Sequence, residues 1–305
     1  MSEIILYHYP LSPFSEKVRL MLGYAGLEWQ SVTVKEMPPR PSLETLAGGY
    51  RKVPVAQIGA DVFCDTRTIA REIARLGNKP ELALENNSEE IQAFVKETDL
   101  DIFLACLIAS SSTKALVKLV KSTSVLTTLK FFKDRISMGR KAKVAPVGPR
   151  EAKKKMHHHL GRMEGMLDTP YLFGEKPCIA DFSAYHSLWY VRDVSEVDLA
   201  KRYPKVNAWM NRMHHFGHGK DHYLSEDAAL DLAKSAEPRA ISEPGSDDTL
   251  GTRVSVAPSD YGREPVVGKL VAASQHELVL QREHPRVGTV NVHFPRDGFT
   301  LRPGS

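Results

Sequence analysis

The spacing of apolar residues changes twice along this 305-residue chain, and the two changes divide it into three zones. Residues 1–80 alternate short β-type runs with helical spacing, residues 85–236 keep helical spacing, and residues 250–305 return to short β-type runs. A linker rich in Pro, Gly, Ser and Asp joins the last two zones. We therefore predict an α+β domain, an all-α helical domain and a small all-β barrel at the C-terminus.

The first zone predicts a mixed sheet with helices packed against it. A β-type run at residues 4–7 is followed by helical spacing at 14–25 and by a second extended run at 29–34. Residues 53–58 and 61–64 are typical of a hairpin that turns at Gly59 and Ala60, and a helix is expected from about Thr66 to Leu76. The order is β, α, β, loop, β, β, α.

The later zones are more uniform. The run from Ile179 to Val191 is apolar on most sides, which predicts a central buried helix. The third zone holds five short strand-like runs within about 55 residues, which is the pattern of a small barrel.

The charge of the chain is unevenly distributed. Residues 114–155 carry 13 Lys or Arg and only 2 acidic residues, although the whole chain has a net charge of +4. This basic belt indicates either a solvated helix face or an anionic partner. Residues 241–305 carry 7 basic and 8 acidic residues, which argues against nucleic acid as a partner of the barrel.

Composition limits the remaining classes. The three cysteines, Cys64, Cys106 and Cys178, form no C-x-x-C pair, so we expect neither a zinc ribbon nor a dithiol centre. No apolar run approaches the length of a membrane span, and the start of the chain lacks the pattern of a secretory signal. We therefore expect a cytoplasmic protein with reduced thiols and no membrane partner.

Three short motifs carry candidate chemistry. Ser12 stands between the first strand and the first helix, where the unpaired N–H groups of the helix favour anions and thiolates. Ser12 could donate its hydroxyl to a thiolate, or it could serve only as an N-cap. Val53–Pro54 precedes a strand, where a cis bond could expose backbone groups to a ligand. Asp65–Thr66 opens the next helix and could bind an amine together with a carboxylate.

Together these motifs make the chain similar to the glutathione transferases. Ser12-Pro13-Phe14-Ser15 lies where the glutaredoxin-like Cys-Pro-x-Cys motif, and the Cys-Pro-Phe of omega-class members, would fall. Val53–Pro54 resembles the cis-proline motif of the family, and Asp65–Thr66 resembles its acidic-Ser/Thr pair. The resemblance implies a thioredoxin-like glutathione-binding domain at residues 1–80, followed by the helical transferase domain at 85–236.

The resemblance also implies roles for individual residues. Ser12 would stabilise the sulfur of glutathione, the co-substrate, and Phe14 would complete the motif around it. Val53, before Pro54, would bind the cysteinyl part through its backbone, and Lys52 could reach the glycyl carboxylate. Asp65 and Thr66 would hold the γ-glutamyl group.

The activity implied is attack of the thiolate on an electrophilic small molecule or a peroxide, as in detoxification, by a homodimer. The alternative is a non-catalytic scaffold that engages a partner through the basic belt and the barrel. Tyr7 is the rival of Ser12, because some members of the family use a tyrosine near the end of the first strand.

Two other features bear on the helical domain and on metal binding. Asp181 matches the Ser/Thr-x-x-Asp box of the family's buried helix, but Cys178 replaces the hydroxyl residue and is a poorer N-cap acceptor. Four histidines at positions 214, 215, 218 and 222 have spacings that can bind metal on a helix, yet glycines interrupt them, so no metal site is expected.

Overall fold

The computed structural model describes residues 4–141 and 147–304. The N-terminal domain contains four strands and three helices: β1 (Ile4–His8), α1 (Pro13–Tyr24), β2 (Glu28–Thr33), α2 (Pro41–Ala47), β3 (Val55–Ile58), β4 (Asp61–Cys64) and α3 (Thr66–Leu76). β1 pairs in parallel with β2 and antiparallel with β3, and β3 pairs antiparallel with β4. The predicted α+β, thioredoxin-like domain is confirmed.

The helix α2 lies in a stretch whose sequence indicated only a loop. Pro41 occupies its first turn, where a missing N–H costs nothing, and Gly48 ends it at a φ of +64°, a conformation that glycine adopts without strain. Its seven residues are too few for a helical period to be recognised in the sequence.

The helical domain predicted for the middle of the chain is also confirmed. Its helices are α4 (Glu89–Glu97), α5 (Phe103–Ala109), α6 (Thr113–Ser122), α7 (Val125–Lys141), α8 (Pro149–Met166), α9 (Ile179–Trp189) and α10 (Pro204–His214). A π-helical segment, Thr98–Ile102, joins α4 to α5. As expected, α9 is buried along its length.

The chain then returns to the first domain. Strand β5 (Lys220–Tyr223) pairs in parallel with β2, and helix α11 (Glu226–Lys234) follows it. All four residues of β5 are exposed, so no alternation of apolar and polar residues marked it in the sequence.

The β-rich C-terminal module is present as predicted, with strands β6 (Arg253–Pro258), β7 (Val266–Ala273), β8 (Glu277–His284), β9 (Gly288–Pro295) and β10 (Phe299–Pro303). β9 pairs in parallel with β4, at residues 61–63 and 291–293. The described strands therefore form one ten-stranded sheet, in the order β10-β6-β7-β8-β9-β4-β3-β1-β2-β5. Strands β6–β10 thus extend the sheet of the first domain as a β-rich module and do not close on themselves into the small barrel that the sequence predicted.

Two hydrophobic cores lie on opposite faces of this sheet. Because successive side chains of a strand point to opposite faces, Ile4 and Leu6 of β1 enter the first core, and Ile5 and Tyr7 enter the second. The first core contains α1, α3 and the helical domain. The second contains side chains of α2, α11 and the C-terminal module, so that module shares a core with the N-terminal domain.

No single helix among residues 4–141 and 147–304 has both the length and the apolar character of a membrane span. The helical run Glu89–Ala109 and the following Thr113–Lys121 meet these criteria only as a pair, bent by 99°.

Candidate functional site

The strand register brings the three sequence motifs to one edge of the sheet. Tyr7 of β1 is paired with Val55 of β3, and Val55 is paired with Cys64 of β4. Because β3 is antiparallel to both neighbours, its start lies beside the ends of β1 and β4. Ser12, Val53 and Asp65 are therefore gathered at one edge, as the transferase resemblance implied.

Ser12 is the N-cap of α1 and is only 2% exposed. Its Oγ accepts a hydrogen bond from the backbone N–H of Ser15 at 3.2 Å, an interaction typically worth about 1 kcal/mol. The N-cap interpretation is therefore realised. The hydroxyl proton of Ser12 stays available to a ligand, because among the described residues Ser12 Oγ accepts a hydrogen bond and donates none.

Arg19 fixes the loop before Ser12, and the sequence analysis did not identify it. Its guanidinium donates to the carbonyl of Pro10 at 3.0 Å and pairs with Glu16 Oε2 at 2.7 Å. It also lies 3.0 Å from Nδ1 of His8, at the end of β1. One side chain thus ties the strand, the loop and the helix together; the available sequence signal was the i, i+3 spacing of Glu16 and Arg19 in the first helix.

The peptide bond between Val53 and Pro54 is cis, as the motif predicted. Neither the N–H nor the C=O of Val53 forms a hydrogen bond with another described residue. Backbone groups of this kind are normally paired, so an unpaired donor and acceptor side by side can bind a peptide-like ligand.

Asp65 caps α3 with a φ of +83°, which is unusual for a residue with a side chain. Its Oδ1 accepts hydrogen bonds from the N–H and the Nε of Arg67 at 3.1 and 3.2 Å. Burial alone would raise the pKa of Asp65, but the charges of Arg67 and Lys52 outweigh burial and lower it. Asp65 is therefore an anion at neutral pH, suited to binding an amine beside the buried Thr66.

Lys52 is close to this edge, but its ammonium already has a partner. Nζ lies 2.8 and 3.0 Å from the two carboxylate oxygens of Asp260, in the loop between β6 and β7. It also lies 4.0 Å from the ring centre of Tyr261. Lys52, which was expected to bind the glycyl carboxylate, is thus paired with the C-terminal module. The two residues are 208 positions apart, and no local motif signals their contact.

Phe14 faces the helical domain. Its ring centre lies 4.7 Å from that of Phe103 and 4.6 Å from that of His186. Burial lowers the pKa of His186 to about 4, so this ring is neutral at pH 7. Phe14 therefore belongs to an aromatic cluster next to Ser12 at the boundary between the domains.

Tyr7, the rival of Ser12, does not reach the edge. Its ring is fully buried in the second core, and its hydroxyl donates to Oε1 of Gln57 at 2.6 Å. Burial, with a smaller contribution from Glu226, raises the pKa of Tyr7. The phenol is therefore a neutral structural group, because it is already bonded and faces away from the strand ends.

Asp181 organises the buried helix α9 despite the cysteine before it. Its carboxylate accepts from the backbone N–H groups of Leu172 and Cys178, both at 3.0 Å, and from Trp209 Nε1 at 2.9 Å. The aspartate half of the expected capping box is thus present, and the cysteine does not prevent it.

The four histidines do not converge on a metal site. His218 lies 2.9 Å from Glu16, His222 lies 3.5 Å from Glu28, and His215 contacts its own helix. Among the described residues no group of three or more His, Cys, Asp or Glu could hold a metal ion.

Comparison with known proteins agrees with this geometry. Residues 6–81 match the glutathione S-transferase N-terminal domain, and residues 146–212 match the glutathione S-transferase C-terminal domain. The crystal structure of a GST-like protein from Pseudomonas syringae is 33% identical and covers 100% of both chains, with a TM-score of 0.79. The C-terminal β-rich module therefore falls within the region shared with that protein.

Two further relatives are more distant. FtsZ-localized protein A from Caulobacter vibrioides is 27% identical over 194 residues, which are 60% of this chain and 74% of that protein. A glutathione S-transferase from Sinorhizobium meliloti 1021 is 19% identical over 70% of this chain and 88% of its own, with a TM-score of 0.50, which shows a common fold. From the two domain matches and the full-length relative, we conclude that the chain belongs to the glutathione S-transferase family.

Proposed function

We propose that the protein binds glutathione at the edge formed by Ser12, Val53, Asp65 and Thr66, and activates its thiol for attack on an electrophilic small molecule or a peroxide. The observation that carries this proposal is the convergence of the three motifs at the ends of β1 and β4 and the start of β3. The Val53 backbone supports it, because its N–H and C=O form no hydrogen bond with another described residue.

The chemistry follows from the position of Ser12. A hydrogen bond to a charged partner is worth about 1.5–3 kcal/mol, and a helix N-terminus adds about 0.3–1 kcal/mol. A stabilisation of about 3 kcal/mol would lower the pKa of a thiol by about 2.2 units, from about 8.5 to about 6.3. Most of the bound glutathione would then be thiolate at pH 7, and thiolate is the nucleophilic form.

The electrophile would meet the thiolate beside Phe14. The cluster of Phe14, Phe103 and His186 is aromatic and neutral at pH 7, which suits a substrate with an apolar or aromatic surface. The helical domain closes the other side of this region, since α1 packs on α9.

Conjugation assays with millimolar glutathione and a panel of electrophiles test the proposal. We expect Ser12→Ala to lower kcat/KM about 100-fold, as loss of a donor to a reacting anion does. The apparent pKa in the pH profile of kcat/KM should also rise towards that of free thiol.

Ser88→Ala is the matched control. Ser88 caps α4 through the same contact, from Ile91 N–H to Oγ at 3.4 Å, and lies outside the site. Both variants lose a helix cap, so only an effect specific to Ser12 supports the catalytic role. Equal activity of the two variants would contradict it.

A second candidate is a binding protein of transferase fold. Exposed apolar side chains lie on α6 and α7 among the lysines of the basic belt: Leu116, Val117, Val125, Leu126 and Leu129. A surface that is both apolar and basic suits an acidic protein partner. The name of the Caulobacter relative, FtsZ-localized protein A, describes a location and not a reaction. Retention on glutathione-agarose without turnover on any electrophile would favour this candidate.

We also infer a homodimer formed through the helical domains, which membership of the family supports. Light scattering after gel filtration would then give twice the chain mass of 34.0 kDa. If the mass at micromolar concentration is that of one chain, the proposal of a dimer is wrong, while the proposal of a glutathione site still stands.

A further inference from the structure

The loop between β6 and β7, residues 259–265, lies against Lys52, the residue that the family resemblance places at the glycyl end of the site. We propose that Asp260 in this loop takes the position of the glycyl carboxylate on Lys52, so that the site selects γ-glutamyl thiols whose far end carries no negative charge. This inference rests on the proposed function, because it names the class of thiol that the same edge accepts.

The first argument is that the donors of Lys52 are occupied. An ammonium has three N–H donors, and the two oxygens of Asp260 lie 2.8 and 3.0 Å from Nζ. The ring of Tyr261 covers another side of the ammonium at 4.0 Å. A second carboxylate would have to share one cation with Asp260, at a distance where like charges repel.

The second argument is that the loop is held by more than this ion pair. Arg51, the neighbour of Lys52, pairs with Glu264 at 3.3 Å and with Asp134 of α7. A Cβ added to Gly262 would lie 3.6 Å from Lys52 Cγ, so the backbone of the loop runs along the lysine stem. The Lys52–Asp260 pair is also sheltered, with the two side chains 15% and 27% exposed.

The third argument concerns the opposite end of the site. Asp297, in the turn between β9 and β10, lies 3.8 Å from Arg67, which is bonded to Asp65. Asp297 is 75% exposed, so water screens this contact strongly. Asp297 therefore neutralises little charge at the γ-glutamyl end, whereas the ammonium of Lys52 is paired at the glycyl end, and selection is expected at the glycyl end alone.

Glutathione and its glycyl primary amide are suitable probes, because they differ only in this charge. We expect calorimetric titration of the full-length wild-type protein to show that the amide binds at least as tightly as glutathione. In Asp260→Asn the charge of Lys52 is released, and we expect glutathione to bind about tenfold more tightly while the amide changes less than twofold.

Asp248→Asn is the matched control, since Asp248 is an exposed carboxylate of the preceding linker, away from Lys52. It should leave both affinities unchanged. If wild-type protein prefers glutathione to the amide by tenfold and Asp260→Asn changes nothing, the inference about Asp260 is overturned while glutathione binding stands. If neither thiol binds to wild type or to Asp260→Asn, the proposed function itself is overturned and the inference with it.

Discussion

Nε2 of His293 on β9 lies 2.8 Å from Oδ1 of Asp61 on β4, across the seam where the C-terminal module joins the N-terminal sheet. The other oxygen of Asp61 accepts from the backbone N–H of Arg239 at 3.0 Å. Asp61 is 1% exposed, so the pair is buried, and removing His293 would leave the carboxylate with Arg239 as its remaining charged partner. The seam therefore depends on the protonation of both groups.

This pair makes the stability of the seam pH-dependent. Burial alone would lower the pKa of His293, but its hydrogen bonds to Asp61 and Glu277 raise it above the ordinary value. Burial alone would raise the pKa of Asp61, but His293 and Arg239 lower it. The contribution of His293 to the free energy of unfolding is complete below about pH 6.5 and is lost as the pH rises through its folded-state pKa. The contribution of Asp61 is present above about pH 4 and is lost as the pH falls through its folded-state pKa.

We expect the free energy of unfolding to fall between pH 6 and pH 9 by more in wild type than in His293→Gln. Glutamine can donate to Asp61 but does not titrate in this range. Urea unfolding at the two pH values measures the difference. The same pH dependence in both proteins would show that His293 is not charged in the folded state.

Phe294→Ala tests whether the module and the first domain share a core. Phe294 is fully buried and contacts Tyr50, with ring centres 5.9 Å apart. Truncation should cost about 3–5 kcal/mol. All three tryptophans lie outside the module, so a shifted urea transition in tryptophan fluorescence would show that the loss extends to the first domain and helices.

The control for this variant is Leu232→Ala on α11, where the side chain is 46% exposed. It should change stability by no more than about 0.5 kcal/mol. A Phe294→Ala protein with an unchanged tryptophan transition would mean that the module unfolds independently.

The ion pair between Lys17 of α1 and Asp99 links the N-terminal domain to the helical domain. The lysine Nζ lies 2.8 Å from Asp99 Oδ2, and its side chain is only 1% exposed. Asp99→Ala should cost about 3 kcal/mol, because it leaves a buried ammonium unpaired. Adding Lys17→Met should recover most of that loss in urea unfolding. A double variant no more stable than Asp99→Ala would argue against a buried charge as the cause.

Arg19→Lys should weaken catalysis without contact between residue 19 and the substrate. Lysine cannot reproduce the planar contacts to Glu16 and the carbonyl of Pro10, so the loop before Ser12 would lose its anchor. We expect kcat/KM for glutathione conjugation to fall about tenfold and the apparent thiol pKa in its pH profile to rise.

Arg75→Lys serves as the control for that change, since Arg75 is half-exposed and pairs with Glu72 at 2.9 Å. It should leave the pH profile unchanged. If Arg19→Lys lowers only stability, with the pH profile of wild type, then Arg19 is a structural residue and not a positioning one.

The positions of the candidate site residues in the fold were largely predictable because these residues flank locally recognisable elements. Ser12 and Asp65 each stand where a β-type run meets a helical period, and Val53–Pro54 precedes a clear strand. The five runs of the last zone likewise correspond to β6–β10, because alternation along a strand is a local signal.

The remaining features depend on contacts between distant parts of the chain. Asp260 reaches Lys52 across 208 positions, and His293 reaches Asp61 across 232. Nothing in the periodicity of β4 or β9 specifies that they pair, because alternation determines the buried face of a strand but not its neighbour. Arg19 was missed for a related reason: its partners outside α1, at His8 and Pro10, become adjacent only once the loop has folded over the helix.

A carboxylate carried on the same chain as Lys52 competes with free ligands in a particular way. A tethered group has an effective local concentration on the order of millimolar, and dilution of the protein does not lower it. A screen at micromolar thiol would therefore register glutathione about tenfold more weakly than the other contacts of the site allow. Titrations that extend into the millimolar range compete with Asp260 on equal terms, and they measure the affinity of the edge for each thiol.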